Sequence, residues 1–268
     1  VTYTAVTPVE SRVAASVALD VIFASSAANT AVAFPVLQTC VEGATDWAEV
    51  AADGQTEDDL AAVVASHDGR VLGAVVDVRD RAALHAVVDE AVAAHGPLVA
   101  VVAAAAIIDG GHDLWLTETA VLDGLWQTDL VGVWNTASAT VPHLLAAAGT
   151  GEQPAFCAIA SAAGHRGLWH LGAYCIVKHA VVGLVRALAA DLHGRGVTVA
   201  GVSPGSTDTD MLAATARLYA LPDVGELAQG QTTGRPLAPE AIARVAEAAC
   251  TLGPAVHGSV LDATAGMR

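Results

Sequence analysis

The sequence predicts a single doubly wound α/β domain over residues 1–268, with about seven short strands in a parallel sheet and helices on both faces. Three observations carry this expectation. Short β-branched runs alternate with capped helical segments along the whole chain. The longest apolar run, residues 98–108, is too short to cross a bilayer and suits a strand buried on both faces that runs into a loop. Turn formers then fall where strands should end, as at Ser203-Pro204-Gly205. No internal repeat or second-domain boundary interrupts the pattern.

Taken in order, residues 1–6 have strand character, and Thr7-Pro8-Val9-Glu10 has the cap, first-turn proline and capping-box glutamate of a helix start. That helix is expected to run to about residue 19, with a second strand over 20–25. Residues 27–55 are longer than an ordinary connection and suggest a surface insertion pinned by Trp47. A helix over 56–67, a strand over 71–77 and a helix from Asp80 to Gly96-Pro97 follow. Residues 98–104 form the fourth strand and 107–116 a loop. A short helix opens at Thr117 and an apolar one covers about 129–148. The fifth strand, 155–161, delivers Ser161 at its end. A helix over about 171–193, a sixth strand over 197–202, a substrate-side loop and helix over 203–236, a helix from Pro239 and a short seventh strand over 259–262 complete the chain.

Composition narrows the partners. Hydrophobic residues make up 54% and mean hydropathy is +0.51, enough for a large core. Net charge is −16, from 28 acidic and 12 basic residues, which argues against nucleic acid and anionic membrane surfaces. The four cysteines are scattered without metal-ligand spacing and suit reduced thiols of a cytoplasmic protein. Cys175 is expected to pack in the core. No signal-peptide pattern opens the sequence, and no metal site is expected.

The chemistry concentrates in SAAGHRGLWHLGAYCIVK, residues 161–178. Tyr174 and Lys178 stand one helical turn apart and share a face. An ammonium beside a phenol favours the phenolate and lowers the tyrosine pKa. A nearby serine hydroxyl, Ser161, can hydrogen-bond a carbonyl, alcohol or enolate oxygen. The three form a proton-transfer site whose base is expected to work nearer neutral pH than a free tyrosine. In a doubly wound sheet, ligands bind beyond the carboxyl ends of the strands. Ser161, Pro204-Gly205 and the 107–116 loop all fall on that edge.

With these residues in place, the chain resembles the short-chain dehydrogenase/reductase family over nearly its whole length. Ser161, the Tyr174-x-x-x-Lys178 pair, Asp77-Val78, Pro204-Gly205 with Thr209, and the stretch 130–145 carry the likeness. The resemblance implies a Rossmann-like fold, Tyr174 as acid/base, Ser161 polarising the substrate oxygen, and Lys178 lowering the tyrosine pKa and holding a nicotinamide ribose. It makes Asp77, Val78, Pro204, Gly205 and Thr209 cofactor contacts if a nucleotide binds. It also implies pocket walls from Trp115, Leu168, Trp169, His170 and residues 209–220, suited to a partly apolar small molecule. The 27–55 insertion is similar to that of actinobacterial members that hold a nicotinamide cofactor tightly. A homodimer or homotetramer is implied through the helices at 129–148 and 171–193.

The departures from the family cluster in the nucleotide half. Tyr3, Thr7 and Val9 stand where the resemblance places three glycines, so side chains occupy a turn whose backbone should touch pyrophosphate. Four alanines, Ala103 to Ala106, replace Asn-Asn-Ala-Gly. Asp129 stands where an asparagine is expected and is a candidate second proton carrier. Asn29 is the nearest candidate for reading the ribose. Three readings follow. The residues favour a redox-neutral acid/base catalyst without a cofactor, an isomerase, cyclase, lyase or hydrolase. The alternatives are an NAD(P)-dependent oxidoreductase with an unusual phosphate site, and a silent subunit that pairs with an active paralogue.

Overall fold

The computed structural model describes residues 2–3, 19–23, 37–40, 43–46, 73–74 and 76–267. The helices expected at 7–19 and 56–67, the turn residues Thr7 and Val9, and Asn29 and Trp47 lie outside them. The described strands are β1 (Thr2–Tyr3), β2 (Leu19–Phe23), β3 (Leu37–Cys40), β4 (Gly43–Asp46), β5 (Gly73–Ala74), β6 (Leu98–Ala103), β7 (Ala155–Ile159), β8 (Thr198–Pro204) and β9 (Val260–Ala263). The described helices are α1 (Arg81–His95), α2 (Thr119–Leu125), α3 (Gly132–Ala148), α4 (Gly172–Asp191), α5 (Asp210–Leu218) and α6 (Pro239–Thr251).

The central sheet has the order β2-β6-β7-β8-β9. Strands β6 to β9 are parallel, with Ala100 beside Ala155, Ala155 beside Thr198, and Gly201 beside Val260. Every residue of β7 and β8 is buried, because helices cover both faces. Alternation then sends Phe156 and Ala158 into one core with Leu84, Leu144, Val181 and Val185 from α1, α3 and α4. Cys157 and Ile159 enter a second core with Ile242, Ala246 and Ala249 of α6.

Two expectations are corrected among the described residues. The central sheet holds five strands, not seven, and its edge strand β2 runs antiparallel to β6, with Leu19 beside Ala103 and Phe23 beside Leu98. A β-branched run encodes extension but not direction, which the connection decides. The expected insertion also carries a hairpin, since β3 and β4 pair antiparallel from Leu37 and Asp46 to Cys40 and Gly43.

Helix α4 is long and apolar enough to cross a membrane. More than half of its most apolar stretch is buried, against β8, α2 and residues 126–131, and Lys178 lies within the buried part, so it is a core helix. Helix α3 meets the end of the third predicted strand closely. A Cβ built on Gly132 would sit 2.6 Å from Val78 Cγ2, and Asn135 Nδ2 donates to Val78 O at 2.8 Å. Gly132→Ala gains up to about 1 kcal/mol in helix propensity. Overpacking against a fully buried valine costs about 1–3 kcal/mol and should win. Denaturant unfolding is expected to show a net loss of stability, and a more stable variant would contradict this packing.

Candidate active site

The site is assembled from three chain segments. Strand β7 ends at Ile159, and Ser161 then caps a short 3₁₀ turn, its Oγ accepting the Ala163 N–H at 3.1 Å. Ser203 of β8 steadies this corner by donating to Ser161 O at 2.6 Å. Helix α4 supplies Tyr174 and Lys178, both buried on one face, with the Lys178 ammonium 5.5 Å from the Tyr174 ring centroid. The Ser161 hydroxyl acts on the Tyr174 phenol, pulling its pKa down. Ser161, Tyr174 and Lys178 thus border one cavity.

The third segment is a π-helical turn, Trp126–Val131, joining α2 to α3. Such a turn holds one residue more than an α-turn and shifts the side chains that follow. Here Thr128 and Asp129 are fully buried while Trp126 stays exposed. One carboxylate oxygen of Asp129 accepts the Ile107 N–H at 2.8 Å, just beyond β6. The other meets Lys178 Nζ at 3.2 Å, an ion pair without an aligned hydrogen bond.

A cavity of ≈ 210 Å³ opens at the carboxyl edge of the sheet. Ser161, Tyr174 and Lys178 line it, with Pro204, Gly205 and Thr209 on the opposite side. Ser206 and Thr207 also line it, as do Tyr219, Met211 and Ile108, none of which sequence reasoning named singly. The signal for Tyr219 and Met211 was present in the 209–220 segment expected to wall the pocket.

Several sequence-based assignments change. Leu168 lines the cavity, but Trp115, Trp169 and His170 do not. Trp115 and Trp169 are exposed. The Trp169 ring stacks on His170, with centroids 3.5 Å apart, and on Tyr219 at 5.8 Å, which turns it along the outer rim. His170 has a left-handed backbone, φ 57°, and its Nε2 pairs with Asp113 at 3.2 Å. Asp129 is sealed behind Lys178 and does not line the cavity, so it is no proton carrier facing a substrate. Asp77 and Val78 also lie away from the cavity. Both Asp77 carboxylate oxygens are engaged by Arg79, with Nη2 to Oδ2 at 2.6 Å, and Val78 is fully buried.

The electrostatics also differ from expectation. Burial pushes the Tyr174 phenol above its ordinary pKa. Lys178 and the Ser161 hydroxyl pull it back only in part, and Asp129 pushes it further up. Burial raises the Asp129 carboxyl too, against the pull of Lys178 and the Ile107 N–H. Burial pulls the Lys178 ammonium down, but Asp129 and Tyr174 together carry it above its usual value. Tyr174 is thus a proton donor at neutral pH.

A family profile described as short chain dehydrogenase matches residues 37–219, well over half of the chain. The chain belongs to the short-chain dehydrogenase family. It is 38% identical over 159 residues to a provisionally named short-chain type dehydrogenase/reductase of Mycolicibacterium smegmatis, covering 58% of this chain and 56% of that protein. It is 34% identical over 164 residues to an uncharacterized NAD-dependent oxidoreductase of Mycobacterium tuberculosis, covering 59% and 57%. To the (−)-trans-carveol dehydrogenase of Rhodococcus erythropolis it is 38% identical over 144 residues, covering 51% and 48%. The matches span about half the length of these relatives. Among solved structures, ElxO with NADP bound aligns at TM-score 0.71 and 19% identity, over 79% of this chain and 84% of that one. A Brucella melitensis 3-ketoacyl-(acyl-carrier-protein) reductase complexed with NADH aligns at 0.69 and 22%, over 78% and 84%. At these identities the structures establish the fold.

These findings overturn the expectation of a redox-neutral catalyst without a cofactor. The relatives are named dehydrogenases, reductases and NAD-dependent oxidoreductases. The cavity is compatible with the nicotinamide end of such a cofactor. Its lining includes Ala104, Ala106, Ala160 and Ala162, whose side chains are short, together with Ser206, Thr207 and Thr209. At the glycine-poor first turn, only the backbone of Tyr3 is described.

The ion pair makes a direct prediction. Lys178→Met would leave the Asp129 carboxylate buried without its partner, which costs about 3–5 kcal/mol. Chemical denaturation should show a loss of that order, and a variant as stable as the parent would contradict the pairing.

Proposed function

We propose that this protein is a nicotinamide-dependent oxidoreductase that interconverts a ketone and a secondary alcohol on a small, largely apolar molecule. The single observation that carries this reading is a tyrosine phenol that shares an apolar cavity at the carboxyl edge of the sheet with Ser161 and Lys178. A bound nicotinamide dinucleotide would supply or accept the hydride. Lys178 and Tyr174 would hold its ribose, and Pro204, Gly205, Thr207 and Thr209 would flank its ring. Asp77 and Val78, tied down by Arg79 and Asn135, would meet its adenine end.

The chain's own residues handle the proton. The Ser161 hydroxyl orients the substrate oxygen, and the Tyr174 O–H donates to it as negative charge develops there. Tyr174 recovers its proton from the Lys178 side. The apolar walls, Ile108, Leu168, Leu171, Met211 and Leu212, exclude water and select apolar bulk near the reacting carbon. Because Tyr174 stays protonated at neutral pH, reduction of the carbonyl is the favoured direction there, and oxidation requires alkaline conditions.

The relatives' names support the substrate class, since they include a (−)-trans-carveol dehydrogenase, a meso-2,3-butanediol dehydrogenase of Serratia marcescens and two proteins named for ketoacyl reduction. The apolar lining favours a compact apolar alcohol such as trans-carveol over a polar diol. A pairing of two copies through α3 and α4, implied by the family resemblance, is supported by an apolar groove there lined by Trp134, Ala137, Val141, Leu184 and Leu188, with Trp134 exposed.

The test is oxidation of trans-carveol and of meso-2,3-butanediol with NAD and with NADP, followed by nicotinamide absorbance. Carveol should be turned over faster, and Tyr174→Phe should lower kcat about 10²–10⁴-fold. Undiminished turnover by that variant, or no nicotinamide-linked turnover of any alcohol or ketone, would overturn the reading. For the pairing, Trp134→Asp should shift the protein to monomer in sedimentation, and an unchanged mass would contradict it.

A further inference from the structure

We propose that Asp129 is the fixed counter-charge of the site, a positioning residue that neutralises Lys178 directly and so keeps Tyr174 a proton donor into the alkaline range. The inference deepens the oxidoreductase reading of the same site. Its evidence is geometric. Asp129 Oδ2 and Lys178 Nζ are 3.2 Å apart, and both side chains are sealed from solvent. The Ile107 N–H holds the other carboxylate oxygen in place at 2.8 Å. The π-turn that carries Asp129 cannot release it without giving up this bond and the burial of Thr128.

An uncompensated ammonium near a phenol stabilises the phenolate. A carboxylate bound to that same ammonium removes most of its field at the phenol, because the two charges approach a dipole when seen from Tyr174. Lys178 then keeps its place and its ion pair but loses much of its power to acidify Tyr174. The other groups facing the phenol do not compensate. Cys175, on α4 beside it, is a thiol whose pKa burial raises. Tyr219, just after α5, is pushed up by burial to about 12. Ser161, just after β7, accepts the Ala163 N–H and does not titrate.

The consequence is a directional bias written into the protein. Reduction needs the phenol and is retained at neutral and mildly alkaline pH. Oxidation needs the phenolate, so its rate should rise only at higher pH. A neutral residue of the same shape at position 129 would restore the full effect of Lys178 and bring oxidation toward neutrality.

The experiment is an ultraviolet difference titration of phenolate formation in the cofactor-free protein, with the Tyr174→Phe curve subtracted to isolate Tyr174. In the parent, Tyr174 is expected to titrate above the ordinary tyrosine value of about 10. Asp129→Asn should lower that midpoint by about one pH unit or more, and Asp129→Ser should act alike. A parent midpoint below the ordinary value, or a midpoint unchanged or raised in the neutral variants, overturns the proposal. The parent measurement decides even where a variant fails to fold. A second readout is the pH profile of alcohol oxidation, whose rising limb should move to lower pH in Asp129→Asn. A merely structural role would lower the rate at all pH values and leave the limb in place. The titration needs no turnover. A shifted midpoint in a protein without nicotinamide-linked activity would therefore support the counter-charge while defeating the oxidoreductase reading. An active enzyme with an unshifted midpoint would do the reverse.

Discussion

The contact between Lys178 and Asp129 is the constraint on which the rest of the site depends. Two charges removed from water are tolerated only when each finds the other. Meeting that condition requires α4, the π-turn before α3 and the end of β6 to converge at one point. Lys178 comes from the first, Asp129 from the second and the Ile107 N–H from the third. The same convergence sets Tyr174 one turn from Lys178, on the cavity that Ser161 also lines. Foundation and chemistry are therefore one structure: whatever loosens the pair alters both the stability of α4 and the field at the phenol.

The layered fold explains why this point lies where a ligand can reach it. Strands β6, β7 and β8 are parallel, so their carboxyl ends open on one edge, and each passes directly into a site segment. Strand β6 runs into Ala104–Ile107, β7 into Ser161, and β8 ends at Pro204 before Gly205–Thr209. The proposed reading needs an acid at the substrate oxygen. Burial keeps Tyr174 protonated, which suits donation to a carbonyl oxygen that gains charge as hydride arrives at its carbon.

Much of this was legible in the chain itself, because the informative signals were local. Tyr174 and Lys178 share a helix face by their spacing alone, and Ser161 and Pro204-Gly205 end strands by theirs. What escaped was set by contacts between distant segments. The π-turn has no sequence signature, so Asp129 suggested a proton carrier when it is a buried partner. Aromatic residues near a pocket suggest its walls, yet stacking on His170 and Tyr219 turned Trp169 outward. Spacing alone also shows the ammonium beside the phenol but not the burial that outweighs it. The same limit explains the cofactor. Tyr3, Thr7 and Val9 bear on one turn, whereas a dinucleotide is held along a whole groove, of which one turn is a small part.

The central claim is that this groove accepts a nicotinamide dinucleotide despite its glycine-poor first turn. The most direct measurement is isothermal calorimetry of the purified protein with NAD(H) and NADP(H). The account predicts saturable binding of at least one of them, at one site per chain. Absence of binding by all four forms would contradict it.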